Sequence, residues 1–162
     1  MIYLDVDGVL ADWWGHFATT HNVVSASRPR TRTKAKSYCS EEAMRTLSAE
    51  WWANIPPTPE ADIVVGMCNK FDQVTICTSV YWPEAIRGRM LWFKEHPRLL
   101  GNTGNVFCLK NKSFFLEQDD ILIDDTSENG PNILFPSHDN EHREVQDKVS
   151  YLWRELSQHY AL

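Results

Sequence analysis

Three short apolar runs in this chain each stop abruptly at polar residues, and this pattern constrains the fold more than any other feature. Ile2-Tyr3-Leu4 runs into Asp5-Val6-Asp7-Gly8, Val74-Thr75-Ile76-Cys77 into Thr78-Ser79, and Ile121-Leu122-Ile123 into Asp124-Asp125. Runs of three or four β-branched or apolar residues bounded by such signals read as buried strands. Between them lie segments of helical spacing. Ala11 to about Thr20 reads as a helix start, and Glu41–Trp52 carries Met44, Leu47 and Trp51 at helical intervals. Ser40 is a candidate cap for that second segment, and Pro56, Pro57 and Pro59 end it. Ala61–Phe71, Pro83–His96 and Glu141–Tyr160 read as further helices, and Asn105–Leu109 as a short strand. Strands alternating with helices imply a parallel sheet, an α/β architecture of Rossmann-like type.

In an open parallel sheet the carboxyl ends of the strands face one crevice. The three polar endings would therefore meet there. An acidic turn accounts for Asp5 and Asp7 taken alone, a helix cap for Asp124-Asp125, and a strand-end hydroxyl for Thr78. None of these accounts for all three endings in order. Four carboxylates at one sheet end repel one another and lose hydration unless a cation offsets them. Oxygen ligands without a His/Cys cluster suit a hard ion, and Mg²⁺ is the expected cofactor. A hydroxyl at Thr78 or Ser79 and a lysine at Lys110 or Lys112 complete a set suited to phosphoryl transfer, where positioning and charge neutralisation do most of the work.

Composition narrows the partners. The 162 residues suit one domain with a small insertion, and 43% hydrophobic with 12% aromatic residues can fill a core. A formal charge of −6 argues against extended nucleic acid but not against a single nucleotide. Cys39, Cys68, Cys77 and Cys108 show no C-x-x-C spacing and read as reduced thiols, which predicts a cytoplasmic protein. No basic-then-apolar leader and no run of about 20 apolar residues is present, so neither secretion nor membrane insertion is expected. A homodimer is compatible with the sequence but not indicated by it.

The D-x-D-G-V ending, the T-S ending, the lysine and the D-D ending, in this order, resemble the motifs of the haloacid dehalogenase-like phosphohydrolases. DVDGVLADW, ICTS, a lysine followed by a hydroxyl residue, ILIDD and WWANIPPTPEA look most like the 5′(3′)-deoxyribonucleotidases. The resemblance implies a core over residues 1–19 and 56–162, with a small helical cap over 20–55 between the first and second motifs. It implies Asp5 as nucleophile, forming an aspartyl-phosphate, and Asp7 as general acid and then base. Asp5, the Asp7 carbonyl and Asp125 would hold Mg²⁺, supported by Asp124. Gly8, Thr78, Ser79 and Lys112 would contact phosphate. Lys112 is preferred to Lys110 because Ser113 follows it.

Trp13, Trp51 and Trp52 each suit a core position. The resemblance points instead to the base and sugar of a nucleotide, and two adjacent helical tryptophans point about 100° apart, so one can face inward and the other the pocket. The basic run Arg28, Arg30, Arg32, Lys34 and Lys36 suits a solvated loop, or a cap loop that attracts an anion. The expected activity is Mg²⁺-dependent hydrolysis of a nucleoside monophosphate, most simply a 5′-deoxyribonucleotide. The alternatives are a phosphatase for nucleic-acid ends or another small phosphoester, and a catalytically silent nucleotide-binding module.

Overall fold

The computed structural model describes residues 1–21, 44–80, 82–108, 111–112, 116–137, 142 and 145–161. Five parallel strands form one sheet in the order β3-β2-β1-β4-β5: β1 Ile2–Leu4, β2 Val74–Thr78, β3 Val106–Cys108, β4 Ile121–Asp124 and β5 Ile133–Leu134. β1 is central, with Ile2 opposite Val74 on one side and Ile121 on the other. A strand covered on both sides by neighbours and on both faces by side chains has to be apolar throughout, and every residue of β1 is buried. The α/β class and the parallel sheet agree with the sequence reading.

Among the described residues, five α-helices accompany the sheet: α1 Trp13–Thr20, α2 Ala49–Ala53, α3 Ala61–Phe71, α4 Pro83–Glu95 and α5 Lys148–His159. Ile2, Leu4, Val74, Ile76, Ile121 and Ile123 share one buried cluster with Val64, Val65 and Cys68 of α3, Trp92 and Phe93 of α4, and Leu152 and Leu156 of α5. On the opposite face Tyr3, Cys77 and Leu122 form a smaller cluster with Met1 and Leu116. None of the helices in the described residues is long and apolar enough to cross a membrane.

Several boundaries differ from the sequence reading. Asp124 is the last residue of β4, not the first after it, because β5 pairs there and the Phe135 amide donates to the Asp124 carbonyl. Thr78 likewise ends β2, in register with Cys108. The C-terminal helix begins only at Lys148, where the Asp147 carboxylate accepts from the Ser150 amide at 2.9 Å and caps the first turn. α2 starts after Ser48, whose hydroxyl accepts from the Trp51 amide at 3.1 Å. Ser40 lies outside the described residues, as does most of the proposed cap, 22–43. The described helix of that insertion, α2, packs closely on α4. A Cβ added to Gly88 would fall 2.3 Å from Trp52 Cβ and 2.5 Å from the Ala49 carbonyl oxygen.

The proline segment has a second role besides ending a helix. Asp12 N–H donates to the Pro56 carbonyl and Thr58 N–H to the Leu10 carbonyl, both at 2.8 Å, with Ala11 bridged antiparallel to Pro57. The Thr58 hydroxyl adds a 2.8 Å bond to the Val9 carbonyl. Residues 56–58 thus fasten the loop that leaves β1. Proline suits this edge position, where the missing donor costs no ladder bond.

Candidate functional site

β1 and β4 are hydrogen-bonded neighbours; β1 leads directly into Asp5 and β4 ends in Asp124, so their parallel register brings those carboxylates together. Asp5 follows β1, and its amide donates to the Ile123 carbonyl at 2.9 Å. Oxygens of Asp5, Asp124 and Asp125 all lie within 4.8 Å of one another. Lys112 enters between them, with Nζ 2.5 Å from Asp5 Oδ1 and 2.6 Å from Asp124 Oδ2. Its side chain is buried, as are those of Asp5 and Asp124. Asp124 also accepts from the Thr126 amide at 2.8 Å.

Asp7 stands beyond this cluster on the outgoing loop, its side chain 30% exposed, and Arg89 of α4 donates from Nη2 to its Oδ1. Between Asp5 and Asp7 the chain must reverse. Val6 C=O accepts from the amides of Leu10 and Ala11, and Gly8 adopts φ +86°. That left-handed conformation favours glycine.

Burial and mutual repulsion raise the carboxyls of the cluster. Burial pushes the Asp5 carboxyl up to about 7; the Asp124 and Asp7 charges add to this, and Lys112 opposes it. Burial also raises Asp125 well above the ordinary carboxylate range, reinforced by the charges of Asp5 and Asp124. Asp7 shifts upward through burial against the pull of Arg89 and Lys112. Lys112 shifts upward in spite of burial, because Asp5 and Asp124 hold its proton. Among the described residues, Asp5, Asp7, Asp124 and Asp125 gather near Lys112 and Arg89, and Asp5, Asp124 and Asp125 could together hold a metal ion. An all-oxygen donor set fits a hard cation better than zinc or copper.

Two hydroxyls lie at the end of β2. Thr78 Oγ1 and Ser79 Oγ are buried and find no hydrogen-bond partner among the described residues. Buried hydroxyls are ordinarily satisfied, and a bound anion's oxygen at the end of β2 would satisfy them. By contrast, a concavity of about 490 Å³ lined by Tyr3, Thr75, Asn105 and Phe107 shares no residue with the cluster.

The structure thus brings together Asp5, Asp124, Asp125 and Lys112, and sets Gly8 and Asp7 on the adjoining loop. Lys110 and the basic run Arg28–Lys36 lie outside the described residues. The three tryptophans expected to meet a base or sugar differ in burial. Trp52 is 1% exposed and sits in the core. Trp51 is half-buried, donates from Nε1 to the Thr20 hydroxyl at 3.1 Å, and meets Trp13 edge-on at 6.3 Å. Trp13 stacks on Phe17 at 5.2 Å.

Arg89 is the residue that the sequence did not single out. It is fully buried, and its guanidinium lies 5.2 Å from the Trp52 ring centroid and 5.8 Å from that of Trp92. Its only visible signal is a charged residue on the inner face of an otherwise apolar helix stripe, three residues before Trp92. No model of a known protein family matches the chain, and no curated protein sequence matches it.

Proposed function

We propose that this protein is a Mg²⁺-dependent phosphomonoesterase of the haloacid dehalogenase-like type, acting on nucleoside monophosphates, with 5′-deoxyribonucleotides as the expected substrates. One observation carries the reading: a buried lysine bridges the carboxylates of Asp5 and Asp124, and Asp125 closes on the same point. A purely structural ion pair needs one carboxylate for each lysine. Three acids gather around one lysine among the described residues, a donor set that a hard divalent cation would suit.

In this reading Asp5, the Asp7 carbonyl and Asp125 would hold Mg²⁺, with Asp124 fixing Lys112 beside them. When bound, the ion supplies charge neutralisation at the phosphoryl oxygens. Lys112 favours the ionised form of Asp5, which makes it competent to attack phosphorus. An Asp5 oxygen forms the new bond to phosphorus as the bond to the substrate oxygen breaks. Asp7 gives its proton to the departing oxygen, and then takes one from the water that cleaves the aspartyl-phosphate. Thr78, Ser79 and the loop amides beside Gly8 would receive the phosphoryl oxygens. The half-buried Trp13 and Trp51 offer aromatic surface to a base, each stacking contact contributing roughly 1–3 kcal/mol.

Phosphate release across a panel of ribo- and deoxyribonucleoside monophosphates, with Mg²⁺ and with chelator, tests the proposal. Mg²⁺-dependent release that favours deoxynucleotides is expected. Turnover of aryl phosphates alone would retain the phosphatase and remove the nucleotide; tight nucleotide binding without turnover would indicate a binding module.

A further inference from the structure

Among the described residues, Arg89 is the buried cation that the chemistry above leaves without a task. It reaches Asp7 through Nη2 alone, while Nε and Nη1 have no hydrogen-bond partner among the described residues. A guanidinium taken wholly out of water, with part of its donor set unsatisfied, is costly. The surroundings are nevertheless built for it. Trp52 and Trp92 lie within cation–π range of it, and Trp92 is itself fixed by a 2.6 Å bond from Nε1 to the Ile55 carbonyl. Gly88, next in sequence, lets α2 approach so closely that any side chain there would strike Trp52. The packing therefore fixes where the guanidinium can go, and it goes to Asp7 Oδ1.

We propose that Arg89 is a positioning residue for proton transfer by Asp7, an inference that rests on the phosphomonoesterase reading. Holding Oδ1 leaves Oδ2 as the oxygen that carries the transferred proton. In the first step the Asp5–phosphorus bond forms and the phosphorus–leaving-oxygen bond breaks. The released electron pair stays on the leaving oxygen, which takes the proton from Asp7 Oδ2. In the second, water adds to phosphorus, its proton passes to Asp7 Oδ2, and the Asp5–phosphorus bond breaks. Arg89 touches neither substrate nor phosphorus. It fixes the rotamer of the acid and neutralises the carboxylate left after donation.

General-acid assistance matters most when the leaving oxygen is a poor leaving group. The test is therefore kcat/KM, with Mg²⁺, for a series of phosphate monoesters from dinitrophenyl through phenyl to alkyl, using wild type, Arg89→Met, Asp7→Asn and the double variant. For Arg89→Met we expect a loss on the order of a hundredfold with alkyl esters and within a few fold with the dinitrophenyl ester, at unchanged KM. The double variant should lose no more than Asp7→Asn alone, because both changes remove one function. Arg89→Lys should recover part of the alkyl activity. A loss of equal size across the series, or additive losses in the double variant, would overturn the assignment while leaving the phosphatase intact. If Arg89→Met does not fold, Arg89→Lys set against Asp7→Asn carries the same comparison. A wild type that hydrolyses none of the esters would instead remove the phosphatase reading, and this inference with it.

Discussion

Gly8 and Asp125 meet so closely that a Cβ on Gly8 would lie 2.1 Å from Asp125 Oδ2 and 2.5 Å from its Cγ. The loop leaving β1 and the acidic end of β4 are thus fitted to each other at a residue without a side chain. Gly8→Ala has two consequences. It forces a side chain into φ +86°, at a cost of about 1–2 kcal/mol, and it displaces Asp125. A displacement of about 1 Å costs roughly a hundredfold in rate, so we expect kcat/KM to fall by about that factor or more while the melting transition stays cooperative. Wild-type Mg²⁺ affinity and activity in the folded variant would contradict this.

Lys112 pairs with two buried carboxylates at once. Lys112→Met should destabilise the protein by about 3–5 kcal/mol near neutral pH, since it leaves Asp5 and Asp124 without their cation. Denaturant unfolding checks this, and Lys112→Met/Asp124→Asn should recover part of the loss. A cost below about 1 kcal/mol would mean that the ammonium is dispensable to the fold.

The raised Asp5 and Asp125 carboxyls fix the sign of a pH dependence. Their ordinary value in the unfolded chain is near 4. In the fold burial pushes Asp5 to about 7 and Asp125 well upward. The fold therefore favours the neutral acids. Their contribution to stability is fully present below about pH 4 and is lost as pH rises through about 7. In chelator, the wild-type melting temperature should fall between pH 5 and 8 more steeply than that of Asp125→Asn. At pH 8, Mg²⁺ should restore the wild type and leave Asp125→Asn little changed. Parallel pH profiles, or equal stabilisation of both proteins by Mg²⁺, would contradict the metal assignment.

Trp13 opens α1 directly after the loop from Asp5, stacked on Phe17 and edge-on to Trp51. Trp13→Ala should raise KM for deoxynucleotides by roughly tenfold, the size of one lost stacking contact. Hydrolysis of a small aryl phosphate should change little. Equal losses with both substrates would make Trp13 a packing residue only.

The acidic strand ends were legible because a buried parallel strand has to be apolar and its polar stop is abrupt. Ile2–Leu4 and Ile121–Ile123 announce themselves, and their neighbouring register does the rest. β5 was not legible: two residues, Ile133–Leu134, carry no period. Lys112 and Lys110 could not be separated on spacing alone, and the described geometry puts the Lys112 ammonium between Asp5 and Asp124. Pro56-Pro57 reads as a stop, yet its pairing with Leu10–Asp12 depends on a contact over 40 residues away in sequence, which local chemistry does not encode. Arg89 was hidden for the same reason: its partners Asp7 and Trp52 come from distant segments, and a single arginine on a helix usually faces water.

Turnover of para-nitrophenyl phosphate by wild type and Asp5→Asn, each with Mg²⁺ and with chelator, tests the central assignment most directly. The amide is nearly isosteric with the carboxylate but cannot attack phosphorus. Mg²⁺-dependent turnover by the wild type and none measurable from a folded Asp5→Asn are expected. Activity of Asp5→Asn within about tenfold of wild type, or turnover indifferent to chelator, would contradict it.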